Sequence, residues 1–285
     1  MNEREAGVLY LCATPIGNLG DITLRVLETL KTVDLIAAED TRNTLKLLNH
    51  YGIRKPMTSY HEHNKYEKAK ELLDRLQRGE SIAVVTDAGT PAISDPGEVL
   101  AAMCMEQGIR VTSLPGACAL ITALTMTGMP ARRFCFEGFL PTDKKERARV
   151  LEQLKREERT TILYEAPHHL RATLKELLGA VGDRRIVLCR ELTKKFEEAR
   201  PFTLQTALGY YDTAEPRGEY VLVLSGADPQ ELRQKEEARW QEMSLQEHMA
   251  CYEQQGMDRK EAMKKVAQDR GVPKREIYRA LIGKE

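Results

Sequence analysis

Short apolar runs alternate with helical patterns through the first 128 residues, and this alternation most restricts the folds open to the chain. The predicted strands are residues 8–12, 35–38, 57–60, 81–86 and 110–114. The helical patterns that follow them are residues 24–30, 41–51, 64–78, 96–107 and 117–127. Five successive strand–helix units are typical of a parallel sheet with helices on both of its faces.

The second half of the chain continues the α/β pattern less regularly. Its predicted strands are residues 134–139, 160–164, 186–190 and 219–225, and its predicted helices are residues 144–158 and 169–178. The chain after Gly226 is polar and helical, and residues 258–282 contain two short amphipathic helices joined near Gly271. That pair is typical of a helix-turn-helix, although a plain helical hairpin explains it equally well. The three predicted domains, α/β with a parallel sheet, α/β with a mixed sheet, and helical, are residues 1–128, 129–227 and 228–285.

The charge of the chain is balanced overall but unevenly distributed. Lysine plus arginine equals aspartate plus glutamate, at 43 each, so net charge gives no reason to expect a nucleic-acid partner. Residues 259–285, however, hold nine basic and four acidic residues. This local excess is a modest indication of an anionic partner, and a solvated helical face is the simpler explanation.

Composition also bears on where the protein works. No apolar run approaches the length of a membrane-spanning helix, and the N-terminal residues lack an apolar signal core. We therefore expect a protein that stays in the cytoplasm. The six cysteines are scattered and form no CxxC pair, so we expect free thiols rather than disulfides or zinc ligands.

Three loops rich in glycine, proline and small residues follow predicted strands, at residues 13–21, 87–97 and 114–118. In a parallel sheet such loops share the carboxyl edge, where open α/β sheets bind ligands. Glycine lets a backbone approach a ligand closely, although glycine and proline are also what a plain turn requires. Because three such loops are expected on one edge, we predict a binding site there.

The ligand of these loops is not expected to be an ordinary nucleotide. The sequence has no GxxxxGK[ST] motif and no GxGxxG after the first strand. Asp87 and Asp95 suit a ligand with hydroxyls or a positive centre, and S-adenosylmethionine has an ammonium, a sulfonium and a ribose diol. The residues predicted to hold this methyl donor are Pro15, Gly17, Asp87, Ala88, Gly89, Pro91, Ala92, Asp95, Pro115 and Gly116.

The chain resembles the small-subunit ribosomal RNA 2′-O-methyltransferase I family of the tetrapyrrole methylase superfamily. The resemblance covers nearly the whole chain and rests on motifs in the family's order: ATPIGNLGDIT, AAEDTRNT, SYHEHN, VTDAGTPAISDPG, SLPGACA, FCFEGFLP, YEAPHHL and LCRELTKKFEE. It implies two α/β domains with S-adenosylmethionine in the cleft between them, a small helical C-terminal domain and a homodimer. It also implies methylation of a cytidine ribose in the decoding region of 16S (small-subunit) ribosomal RNA.

The first and second loops depart from those of tetrapyrrole-modifying relatives. Such relatives carry a glycine-rich GPG-type first loop and a Gly-Asp-Pro core in the later loop, whereas this chain has TPIG at residues 14–17 and DAG at residues 87–89. The departure favours the RNA branch. Two alternatives stay open, a methyltransferase acting on a tetrapyrrole or another small molecule, and a non-enzymatic nucleic-acid-binding module.

A ribose hydroxyl is a weak nucleophile, so transfer to it benefits from a nearby proton acceptor. The candidates are Asp40, His61 and Glu165, with Arg42 as a positioning group for phosphate or hydroxyl. Two of them have plainer explanations, because Asp40 fits a helix N-cap and Glu165 fits the start of the helix that follows it. His61 and His63 lack the companions of a complete metal site, so we predict no metal. Lys194 and Lys195 are candidates to meet phosphates.

Overall fold

The computed structural model describes residues 6–93 and 95–282, so the N-terminal segment at residues 1–5, Ser94 of the second loop and residues 283–285 lie outside the described residues. The chain packs as two compact units. The first runs to Leu151 and resumes at Arg159–Ser225, and it contains both sheets. The second consists of Glu152–Glu158 and the chain from Gly226 onward. The domain boundaries proposed from sequence, after residues 128 and 227, stay predictions.

The first sheet has five strands, all parallel, in the order β3-β2-β4-β1-β5, which confirms the predicted parallel sheet. Its strands are β1 (Leu9–Cys12), β2 (Leu35–Ala38), β3 (Met57–Ser59), β4 (Ile82–Val85) and β5 (Val111–Leu114). The helices of this half are α1 (Leu24–Thr32), α2 (Thr41–His50), α3 (Lys65–Gln77), α4 (Gly97–Glu106) and α5 (Ala119–Thr127).

Alternate residues of the buried strands face opposite sides of the first sheet, as the two-residue period of a strand requires. Ile36 of β2 packs in a cluster with Leu30 of α1 and Leu48 of α2. Its neighbour Leu35 packs in a second cluster, with α3 and α4. The helices therefore cover both faces, and the loops that leave the strands lie together at the carboxyl edge.

The second sheet is mixed, as predicted, with the order β6-β7-β10-β8-β9 and one parallel pair, β6 with β7. Its strands are β6 (Phe134–Phe139), β7 (Thr160–Glu165), β8 (Arg185–Arg190), β9 (Glu198–Thr203) and β10 (Tyr220–Leu224). The accompanying helices are α6 (Lys144–Leu154), α7 (Leu170–Val181) and α8 (Leu204–Thr213). The edge strand β9 and helix α8 were not predicted from the sequence.

The C-terminal part of the chain is helical, as predicted, with α9 (Pro229–Glu242), α10 (Leu245–Glu253), α11 (Arg259–Asp269) and α12 (Lys274–Ile282). A small core of Met249, Val266 and Ile277 joins the last three helices. Gly271, with φ of 63°, makes the turn between α11 and α12. In the part of the chain that the structure describes, no helix is long and apolar enough to cross a membrane.

Candidate functional site

The loops that follow β1 and β4 are joined directly by backbone hydrogen bonds. The Thr14 N–H donates to the Gly89 carbonyl at 2.9 Å, and the Gly89 N–H donates to the Thr14 carbonyl at 3.0 Å. The buried Thr14 hydroxyl also donates to the carbonyl of Thr86, at 3.1 Å. These bonds hold two of the three predicted loops together at the carboxyl edge of the sheet.

The loop that follows β5 completes the group, so the three loops predicted to form one site do converge. The Thr90 hydroxyl donates to the Ala117 carbonyl at 3.1 Å. A Cβ atom on Gly116 would lie 2.6 Å from the Cβ of Ala13, and one on Gly89 would lie 3.4 Å from a methyl carbon of Ile16. The backbones therefore approach more closely at Gly116 than any residue with a side chain allows.

Asp95 braces the second loop and keeps one oxygen free. Its Oδ1 accepts the N–H groups of Ala92, at 2.9 Å, and Gly97, at 2.8 Å. This bonding supports the left-handed backbone of Ala92, whose φ is 67°. Asp95 Oδ2 is buried and accepts no hydrogen bond from any residue within the described ranges, and burial raises the pKa of this carboxyl. The free oxygen is available to a hydroxyl or ammonium of a ligand.

A second carboxylate network links β2 to the start of the β4 loop. The Thr86 hydroxyl and the Asp87 N–H both donate to Glu39 Oε2, at 2.6 and 3.2 Å. Asp87 in turn accepts from the Asp40 N–H, at 3.2 Å, and from the Asn43 side-chain amide, at 3.3 Å. Burial raises the pKa of Asp87, and repulsion from Glu39 adds to the increase. The carboxylate is thus positioned from two directions.

Asp40 and Arg42 form a pair at the start of α2. Asp40 accepts the Arg42 backbone N–H at 2.8 Å, which confirms the N-cap interpretation, and its two oxygens pair with the guanidinium at 3.1 and 2.9 Å. These hydrogen bonds lower the pKa of Asp40, so its carboxylate is a weaker base than an ordinary aspartate. The Arg42 side chain is 87% exposed and is aligned by its partner. The pair suits positioning better than proton transfer.

A pocket of about 360 Å³ opens beside this network. Its walls come from the β1 loop, from α2 and from the start of the β4 loop. The lining residues are Thr14, Pro15, Gly17, Leu19, Asn43, Thr44, Lys46, Leu47, His50, Thr86 and Asp87. Three residues predicted from sequence to hold the donor, Pro15, Gly17 and Asp87, line it. The volume lies within the usual range of small-molecule sites.

The convergent loops also meet the second sheet. Ile16 and Cys118 pack against the buried cluster that contains Ile162 of β7 and Val223 of β10. A Cβ on Gly17 would collide with the side chain of Lys194. The two α/β halves are therefore in contact at these loops.

Lys194, which was predicted to contact phosphates, forms ion pairs within the protein. Its ammonium pairs with Glu191 at 3.1 Å and with Glu219 at 2.9 Å. Glu191 and Thr193 have left-handed backbones, with φ of 50° and 66°. Because two charges already hold Lys194 against Gly17, its position is that of a brace between the loops.

Glu165 and His61 are not among the residues that line the pocket. Glu165 is buried and accepts hydrogen bonds from the hydroxyl of Thr173 and from the Ala166 N–H. It is adjacent to Tyr164, which packs beside the loop-facing cluster, so alternation places Glu165 on the opposite face of the sheet. His61 follows β3, which pairs with β2 so that the Tyr60 N–H donates to the Ala38 carbonyl. Of the four predicted catalytic residues, Asp40 and Arg42 begin the helix that lines the pocket, and Glu165 lies on the face of the second sheet away from the loops.

The remaining predicted donor residues differ in exposure. Ala88 and Pro115 are exposed on the loops, whereas Pro91 is buried and shapes the second loop. Sequence reasoning missed Glu39 and Asn43, although both belong to the AAEDTRNT motif. Helical spacing could have identified Asn43, since it lies one turn after Asp40 and therefore on the same side of α2.

Comparison with known proteins gives the family. The model of the tetrapyrrole (corrin/porphyrin) methylases matches residues 8–208. The ribosomal RNA small subunit methyltransferase I of Synechocystis sp. is 48% identical over 277 residues, which is 97% of this chain and 98% of the relative. The protein of the same name from Bacillus subtilis is 46% identical and covers 98% of this chain and 95% of its own length.

Solved structures agree in fold. A diphthine synthase matches 77% of this chain and 90% of its own, with a TM-score of 0.60 and 14% identity. The uroporphyrin-III C-methyl transferase of Thermus thermophilus, complexed with S-adenyl homocysteine, matches 77% of this chain and 97% of its own, with a TM-score of 0.53 and 18% identity. The family model and the sequence relatives establish that the chain belongs to the tetrapyrrole methylase family and, within it, to the ribosomal RNA small subunit methyltransferase I group of methyltransferases.

Proposed function

We propose that this methyltransferase moves a methyl group from S-adenosylmethionine to the ribose 2′-hydroxyl of a cytidine in 16S (small-subunit) ribosomal RNA. The names and near full-length identity of the relatives from Synechocystis sp. and Bacillus subtilis support the RNA substrate. The convergence of three strand-exit loops beside a pocket carries the proposal in the structure. The resemblance further supports a homodimer, which light scattering on the purified protein tests.

The convergent loops fit the methyl donor. Asp95 Oδ2 is a buried acceptor with no partner among the residues described, and it matches a hydroxyl or ammonium donor of the ligand. Gly89 and Gly116 bring the three backbones together without side chains in between. When bound, S-adenosylmethionine supplies a methyl group on a positively charged sulfur. Acidic groups beside the loops, chiefly Asp87 and Asp95, favour that positive charge.

The acceptor hydroxyl is assigned to the pocket. Asp87 lines it, and its raised pKa makes this carboxylate a better proton acceptor than Asp40, whose pKa is lowered. Asn43 and the Asp40 N–H fix its two oxygens. Arg42, aligned by Asp40 and exposed, is the positioning group for a phosphate of the substrate.

The test is methyl incorporation from labelled S-adenosylmethionine into small subunits purified from cells that lack this modification. Free ribosomal RNA and a porphyrin precursor are assayed beside them. We expect label in the RNA, on a ribose whose methylated 2′-oxygen makes the adjacent phosphodiester resistant to alkaline hydrolysis. We expect loss of label in an Asp95→Asn variant that still folds. Label in the porphyrin precursor alone would support the small-molecule alternative. RNA binding without any transfer would support the non-enzymatic one.

A further inference from the structure

The exposed side of α2 carries a row of basic side chains beside the pocket. Arg42, Lys46 and His50 are spaced by four residues, so they lie along one side of the helix, and all three are exposed. Eight residues of helix rise by about 12 Å, which exceeds the spacing of successive phosphates along a strand. The row is therefore long enough to contact more than one phosphate. Lys46 and His50 also line the pocket. We call these three residues the α2 basic row.

The α2 basic row has no acidic residues of its own helix to neutralise it. The sequence of α2, TRNTLKLLNH, contains no aspartate or glutamate. Arg42 is paired with the capping Asp40, but among the described residues the Lys46 ammonium has only the neutral side chain of Asn43, at 3.4 Å, as a hydrogen-bond partner. Within the described ranges Lys46 makes no ion pair. An exposed lysine that is free of carboxylates beside a pocket is available to an anionic ligand.

The α2 basic row is fixed relative to the pocket at both ends of the helix. Near its start, Asn43 donates to Asp87 at 3.3 Å. Just after its end, the Tyr51 hydroxyl donates to the Leu19 carbonyl of the β1 loop at 2.6 Å. Both Asp87 and Leu19 line the pocket. Both ends of α2 are therefore held against residues that line the pocket where the acceptor is assigned.

The residues that line the pocket favour an RNA nucleotide over the methyl donor. Pro15, Leu19 and Leu47 give it apolar surface, while Lys46 and His50 give it a basic side. A nucleotide within a strand combines a flat base with flanking phosphates, and it matches both features. The methyl donor has a net positive charge and a single carboxylate, whereas an RNA strand carries a phosphate at every nucleotide, so Lys46 favours the RNA.

We propose that the α2 basic row holds the phosphates of single-stranded RNA next to the methylated nucleotide, and that the pocket receives this nucleotide. The inference rests on the proposed function and specifies the RNA subsite within it. Lys46 and His50 then act in substrate binding, together with Arg42. The donor is assigned to the convergent loops at Gly89, Asp95 and Gly116, which are not among the residues that line this pocket.

The test measures binding of the full chain to a labelled single-stranded RNA oligonucleotide at several salt concentrations. For single strands each phosphate contact contributes a slope of about 0.7 in log affinity against log salt, which at roughly 0.15 M corresponds to about a fourfold change in Kd. We expect Lys46→Ala to weaken binding about fourfold and to lower the slope by about 0.7. Lys46→Glu should weaken it further, and Lys46→Arg should restore it.

Lys70→Ala is the matched control, since Lys70 is an exposed lysine on α3, which packs on the opposite face of the first sheet. It should leave both affinity and slope unchanged, and the affinity of Lys46→Ala for S-adenosylhomocysteine should equal that of the unmodified chain. Unchanged RNA binding in both Lys46→Ala and Lys46→Glu would overturn the inference, as would a parallel loss of S-adenosylhomocysteine affinity. If the unmodified chain still methylates small subunits in those cases, only this inference fails. If it does not, the proposed function itself fails.

Discussion

Replacing Gly116 by alanine tests how the convergent loops are built. The backbone of Gly116 lies outside the left-handed region, so alanine is compatible with its conformation. The obstacle is Ala13, whose Cβ would lie 2.6 Å from the new methyl group. Carbon atoms prefer separations of about 3.5–4.0 Å, so the β1 and β5 loops must separate by about 1 Å.

The expected destabilisation follows from that separation. Ala13 is 2% exposed, and the next residue, Thr14, is held by its two backbone bonds to Gly89, so the β1 loop cannot move freely. Overpacking of this kind costs about 1–3 kcal/mol. For a chain of this size each kcal/mol lowers the Tm by about 2–4 °C. Because the separation falls at the loops proposed to hold the donor, we also expect the Kd for S-adenosylhomocysteine to rise about tenfold, equivalent to about 1.4 kcal/mol.

A compensating change in the same contact provides the control. Ala13→Gly alone should cost about 0.5–1 kcal/mol, because it adds backbone freedom to the unfolded chain. Combined with Gly116→Ala it removes the collision, so the double variant should regain stability and donor affinity, with a coupling energy of about 1–2 kcal/mol. Thermal unfolding and titration calorimetry on the four proteins measure both quantities. Strictly additive losses in the double variant would refute the contact as the reason for glycine.

Two further predictions address single carboxyl groups. The folded-state pKa of Asp87 is raised, so this group's contribution to stability is complete below its unfolded pKa and is lost as pH rises through the folded pKa. The Tm of Asp87→Asn relative to the parent chain should therefore rise between about pH 4 and pH 7, and the variant should abolish transfer; a Tm difference that does not change with pH would contradict the assignment. Thr173→Val should cost about 1–3 kcal/mol by leaving buried Glu165 without its hydroxyl donor, while kcat in the methylation assay stays unchanged. A large loss of kcat in a stably folded Thr173→Val protein would instead indicate that Glu165 takes part in catalysis.

The fold was largely predictable because the buried strands are short, continuous and apolar. β4 is fully buried and contains only isoleucine, alanine and valine, so its type and place follow from composition. β9 escaped prediction because it is an edge strand with the sequence EARPFT, whose charges and proline oppose the usual strand pattern. Its pairing with β8 depends on the position of a neighbouring strand, which local sequence does not encode.

The site was predictable in its loops but not in its side-chain partners. The convergence of the first, fourth and fifth strand exits follows from parallel topology, which the alternation of elements implied. The bond between Thr86 and Glu39 joins residues 47 positions apart, and only the pairing of β2 with β4 brings them together. Glu165 was a catalytic candidate because it ends a strand. Side chains alternate between the two faces of a sheet, however, and Glu165 lies on the face that packs against Thr173 of α7.

The distribution of charge around the pocket gives a physical reason for one site to handle two unlike molecules. The carboxylates of Glu39, Asp87 and Asp95 lie at the strand exits, where they favour a cationic donor. Arg42 and Lys46 lie on α2, where they favour an anionic strand. Arg42 is paired with Asp40, whereas Lys46 has no ion pair among the described residues. A charge reversal at Lys46 should therefore affect RNA affinity first and a neutralised strand-exit carboxylate should affect donor affinity first, so the two losses are experimentally distinguishable.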